Sequence, residues 1–109
     1  MDASIHGGSK CAIRFNVSIA TVQFVAHLVI KRTNQVVGKF SYPARDGYQT
    51  LTKDTNSYIG LLTSEMTALF PTEQLKIEVK PFIDTNTAPI GSADVRRIKD
   101  NTVKTIETI

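Results

Sequence analysis

Hydrophobic and polar residues alternate early in the chain. Ile13, Phe15 and Val17 fall on one side of an extended segment, with Arg14, Asn16 and Ser18 on the other. That period of two is the signature of a β-strand. A longer alternating run spans Val22 to Arg32. Val22, Phe24, Ala26, Leu28 and Ile30 share one face of it, and Gln23, Val25, His27, Val29 and Lys31 share the other. Thr33-Asn34-Gln35 carries turn chemistry, because Asn tolerates left-handed backbone angles. Val36 to Tyr42 is therefore predicted to return antiparallel as a hairpin. Gly38, inside that strand, marks a bulge or a close approach. Pro43 ends it, since proline has no N–H to give the ladder. Tyr42 to Tyr48 reads as a loop built on the Asp46-Gly47 turn signal.

The period then changes. Ile59, Leu62, Met66 and Leu69 recur at helical spacing, which predicts a main helix over Asn56 to Phe70. Asp54 or Thr55 can cap it, Gly60 weakens it by roughly 1 kcal/mol relative to Ala, and Pro71 stops it. A fourth strand follows at Leu75 to Val79, with Leu75, Ile77 and Val79 inward. Asp84 to Ser92 is a loop, and Ala93 to Asp100 reads as a short helix capped by Ser92. The tail from Thr102 to Ile109 is rich in β-branched residues and is read as a terminal strand, although Val95, Ile98, Thr102, Ile106 and Ile109 also fit one helical face. The expected order is β-β-β-α-β-α-β. That implies an α+β fold, an antiparallel sheet of four to five strands with one main helix on one face.

Composition bounds this picture without changing it. The chain has 109 residues, enough for one domain with one core, and its apolar content of 41% is ordinary. His6-Gly7-Gly8-Ser9 suggests a flexible leader over residues 1–9, followed by a single domain over 10–109. Trp is absent, so the core is mostly aliphatic with a few Phe. The opening residues lack the basic and apolar regions of a signal peptide, and the apolar stretch from Val22 to Ile30 is too short to span a bilayer. A cytoplasmic or other intracellular location is expected.

Charge is distributed unevenly. Between Lys10 and Lys53 there are seven basic residues against one acid, Asp46, whereas from Asp54 onward six basic residues meet eight acids. Such asymmetry points to a binding surface in the first half of the chain.

Little else suggests catalysis. Cys11 stands alone, so neither an internal disulfide nor a cysteine-based zinc site is available. His6 and His27 are far apart in sequence and suggest no metal site. Neither a G-x-x-x-x-G-K-S/T loop nor a G-x-G-x-x-G loop occurs. No enzyme activity and no cofactor are expected. Two binding readings remain. Val25, Val29 and Val37 lie on the strand face opposite the main apolar set, so a second cover is needed. That favours a small interaction or assembly module acting as an accessory or regulatory binding protein, most simply a homo-oligomer. The alternative is binding of single-stranded DNA or RNA. Arg14, Lys31, Arg32, Lys39 and Arg45 would contact phosphates, and Tyr42 and Tyr48 would stack on unpaired bases.

Overall fold

The computed structural model describes residues 11–18, 23–70, 72–98, 102–105 and 107–109. Nearly all of these are in strands or the turns between them: β1 (Cys11–Phe15), β2 (Phe24–Ile30), β3 (Val36–Tyr42), β4 (Gln49–Thr50), β5 (Thr52–Lys53), β6 (Tyr58–Leu62), β7 (Leu75–Pro81), β8 (Gly91–Ile98) and β9 (Thr102–Thr105). The one helix among the described residues, α1 (Ser64–Thr67), is a single turn. Strand neighbours run β4-β3-β2-β7-β8-β9-β1-β6-β5. Pairing is antiparallel except between β1 and β9 and between β3 and β4.

Two corners fold this ribbon into a nearly closed barrel. Strand β8 pairs with β7 over Gly91 to Asp94 and with β9 over Val95 to Ile98. Segment 49–53 pairs with β3 through β4 and with β6 through β5, with Leu51 between them. One wall, sheet I, is β5-β6-β1-β9 with the second half of β8. The other, sheet II, is β4-β3-β2-β7 with the first half of β8. Closure of this kind removes the open edges that a flat sheet would leave.

The core lies between the walls. Phe15, Phe24 and Phe40 are fully buried, each contributing about 1.5–3 kcal/mol from apolar area removed from water. The Phe24 ring meets Tyr58 edge-on at 4.9 Å between centroids, and Tyr42 meets Tyr58 at 5.2 Å. Ile13, Leu28, Ile77, Val79 and Val103 fill the rest.

The hairpin of β2 and β3 forms as expected, with Asn34 at a φ of 62° in its turn. Gly38 does both things anticipated of it. The register shifts between Leu28 and Val29 beside it, and a Cβ at position 38 would lie 2.8 Å from Met66 Cε. Strand β7 keeps Leu75, Ile77 and Val79 inward, and the tail contributes β9. The leader, residues 1–9, and Val22 lie outside the described residues.

The α+β expectation is overturned: the chain is a barrel-like mixed sheet of nine strands among the described residues, with no long helix. Of the predicted helix over 56–70, Tyr58–Leu62 is strand and only Ser64–Thr67 is helical. Tyr58, Gly60 and Leu62 point inward while Ile59 and Leu61 point out, a period of two that Ile59–Leu62–Met66 concealed. Gly60 fits the strand for a packing reason. A Cβ there would sit 2.9 Å from the Phe40 ring, so glycine lets Phe40 pack directly against the backbone of β6. Helical turn α1 begins only at Thr63, whose Oγ1 accepts from the Met66 N–H at 3.4 Å. Of the predicted helix at 93–100, the described residues, 93–98, are strand: Ala93 and Val95 face the core, and Asp94, Arg96 and Ile98 alternate with them.

Candidate interaction surface

Each wall has an outer face, and the two differ. On sheet II the register places Ser41, Val25 and Lys80 in one row and Lys39, His27 and Glu78 in the next. The loop after β3 folds back over this face. Its Tyr48 ring stacks on His27, with centroids 5.9 Å apart. Lys39 Nζ lies 5.6 Å from the Tyr48 centroid, and the Arg45 guanidinium lies 5.3 Å from it and 5.0 Å from that of Phe82. Arg45 also donates from Nη1 to the Phe82 carbonyl. Aromatic faces attract cations, so these contacts hold the loop down. Burial lowers the His27 pKa from its ordinary value, and Lys80 and Lys39 lower it further, which favours the neutral imidazole.

Sheet I is open among the described residues. Arg96 is paired across β8 and β9 with Lys104, and Lys104 across β9 and β1 with Arg14. Three cationic residues therefore sit side by side on adjacent strands whose axes are about 4.8 Å apart. A second row runs Ile98, Thr102, Ala12 and Leu61 by the same registers. Leu61 is 56% exposed. Ile59, opposite Arg14, carries the apolar character into the first row.

Arg14 is partly neutralised. Its Nη1 donates to Asp54 Oδ2 at 3.3 Å and to Ser57 Oγ at 2.9 Å. The Thr55 N–H and Arg14 together pull the Asp54 pKa down. No ion pair is formed by Arg96 or Lys104 among the described residues. Like charges directly opposite one another destabilise a sheet. A fold that sets three in a row presents a surface suited to negative charge.

The residues singled out from sequence are scattered. Arg14 is on sheet I, whereas Lys39 and Arg45 belong to the Tyr48 cluster on sheet II. Lys31 pairs with Asp94 at 3.0 Å, and Arg32 grips Glu73 through two bonds of 3.3 and 2.6 Å. Tyr42 packs against the core, and Tyr48 is half-buried on His27. Val25 and Val29 are buried within the chain, at 0% and 1% exposure, and Val37 is half-buried against the core. Among the described residues, these three do not form the uncovered apolar face expected around them.

Sequence reasoning missed Arg96, Lys104, Leu61 and Ile98. The alternation from Ala93 to Arg96 was the available signal for Arg96, but a helical reading of that stretch hid it. Among the described residues no group of three or more His, Cys, Asp or Glu is gathered as a metal site, and no helix is long and apolar enough to cross a membrane. An open hollow of about 530 Å³ beside Tyr48 is lined by Val37, Lys39, Gln49 and Met66 among others. No family model matches the chain, and no match is found among curated proteins or solved structures.

Proposed function

We propose that this chain is a small non-enzymatic interaction module that docks a partner protein on the outer face of sheet I. The supporting observation is the pairing of two rows on that face, Arg96–Lys104–Arg14 beside Ile98–Thr102–Ala12–Leu61. An apolar strip edged by charge is the pattern of a protein contact, with a desolvated centre and a polar rim.

Partner chemistry follows from the charge. Acidic side chains next to apolar ones complement the face. Symmetric pairing of the face with itself would either oppose the cation rows or bury them under the apolar row, and both are unfavourable. A second copy can still bind through a different, acidic part of its surface. Single-stranded nucleic acid is the weaker reading. The cations suit phosphates, but stacking needs an open aromatic ring, and Tyr42, Tyr48 and Tyr58 are all at least half-buried.

The test uses a photo-crosslinking residue at position 61 and another at position 34 in the exposed hairpin turn, both in the source cell. A protein adduct of discrete mass from position 61, absent from 34 and reduced by Arg96→Gln with Lys104→Gln, supports docking on sheet I. An adduct of twice the chain's mass assigns the partner as a second copy. Equal labelling from both positions, or a nucleic-acid adduct from 61, overturns the proposal.

A further inference from the structure

Between Arg14 and Lys104 the surface dips into a hollow of about 160 Å³, lined by Arg14, Phe15, Asn16, Lys104 and Thr105. We infer that this hollow is a binding site for a small tetrahedral dianion of the phosphate class. The inference deepens the reading of sheet I as a contact face, since it names the charge that face accepts, and it rests on that reading only for its biological use.

Three observations carry it. First, Lys104 sits directly opposite a cation on each side, Arg96 on β8 and Arg14 on β9's other flank. One monovalent anion leaves part of that repulsion in place, whereas a dianion offsets more of it. Second, four of the five lining residues, Arg14, Asn16, Lys104 and Thr105, carry donor groups. Nη1 of Arg14 is engaged by Asp54 and Ser57, which orients the guanidinium. No partner is seen among the described residues for its Nη2 and Nε, and a guanidinium presents two parallel N–H bonds well to an oxyanion. The ammonium of Lys104, the amide of Asn16 and the hydroxyl of Thr105 add further donor groups. Third, the size is right. A volume that would hold several waters at ~30 Å³ each also holds one tetrahedral oxyanion, and the buried Phe15 in its lining limits deeper entry.

The carboxylate of Asp54 does not close the site. It binds Arg14 from the β5–β6 turn, and Lys104 and Arg96 remain without an acid among the described residues.

Inorganic phosphate titrated into the isolated chain tests this, with binding followed by amide chemical shifts and by melting temperature. Shifts should concentrate at residues 14–16 and 104–105 and should not be reproduced by chloride at matched ionic strength. Affinity should rise from about pH 6 to about pH 8 as phosphate becomes a dianion. Lys104→Gln should weaken binding about tenfold, as expected for one charge-assisted hydrogen bond. Arg97→Gln, on the inward-alternating side of β8, should change it little. Equal effects of phosphate and chloride, or an unchanged affinity in Lys104→Gln, overturn the site. Tighter binding of a single-stranded oligonucleotide at equal total phosphate also overturns the small-dianion assignment. The titration needs no partner, so its failure leaves the crosslinking result at position 61 to decide the docking reading separately.

Discussion

His27 lies beneath Tyr48, the two rings 24° from parallel and His27 Nε2 3.4 Å from the tyrosine hydroxyl. This pair joins the middle of β2 to a loop 21 residues further along the chain. It also places a titratable group under cover, with Lys39 on β3 and Lys80 and Glu78 on β7 facing it and Arg45 over the tyrosine. Only Glu78 favours the imidazolium, and Glu78 already pairs with Lys76 at 3.2 Å.

A pH dependence of stability follows. The folded chain holds His27 below its ordinary pKa of 6.5, chiefly through burial. The unfolded chain therefore takes up the proton first as pH falls. Stability from the neutral ring is fully present above about pH 6.5 and is lost as pH drops toward the folded-state value. Denaturant melts of wild type and His27→Gln between about pH 8 and pH 5 measure this. The wild type should lose more stability over that interval than the variant. Parallel curves would show that His27 titrates alike in both states.

Gly60→Ala should destabilise the fold by about 1–3 kcal/mol, since the added Cβ overpacks the core. It would lie 2.9 Å from two atoms of Phe40. Phe40→Leu removes the crowding atoms at its own expense in buried area. In the double variant the cost of the Ala should shrink, and a double-mutant cycle on urea midpoints reads that coupling. Additive costs would place the strain elsewhere.

Gly60 also shows how much of this molecule was legible in the sequence. Where a short β-rich run is punctuated by turn residues, as from Phe24 to Tyr42, or apolar residues alternate, as from Leu75 to Val79, strand and hairpin were read correctly. From Tyr58 to Leu69 the inward strand set, Tyr58, Gly60 and Leu62, has a glycine at its centre. The alternation therefore loses its middle member and a helical spacing takes its place. What fills that gap is Phe40, from a strand far away in sequence, and no local pattern reports it. The surface was misread for a related reason. Which cations share a face is fixed by strand order, and β1 lies beside β9 and β6 rather than beside β2. Arg14 thus joins Lys104 and Arg96, not Lys31 and Lys39.

Leu61 and Leu62 separate strand from helix directly. Leu62 is 2% exposed and Leu61 is 56% exposed on the opposite side of β6. Leu62→Ala should cost about 2–5 kcal/mol, while Leu61→Ala should stay within about 0.5 kcal/mol. Thermal melts of the two variants are sufficient. Comparable losses would mean that both side chains are covered, which would also remove the exposed apolar row from sheet I.

The cation row makes a prediction of opposite sign, a substitution that stabilises. Lys104 has Arg96 on one side and Arg14 on the other, each directly across the ladder. Like-charge pairs so placed oppose folding, each by about 0.2–1 kcal/mol. Asp54 relieves the Arg14 side in part, through its 3.3 Å ion pair. Lys104→Gln keeps a long polar side chain and removes the central charge, so it should raise stability by several tenths of a kcal/mol at low salt. Added salt screens the repulsion over about 10 Å at 0.1 M and about 3 Å at 1 M, and the advantage should fade over that range. Asp54→Asn should do the reverse, losing stability at low salt because Arg14 is then left facing Lys104 without its counter-charge. Urea unfolding of the three proteins at low and high sodium chloride measures both effects. A Lys104→Gln variant no more stable than wild type at low salt would mean that the side chains splay apart and that the row does not act as one concentration of charge.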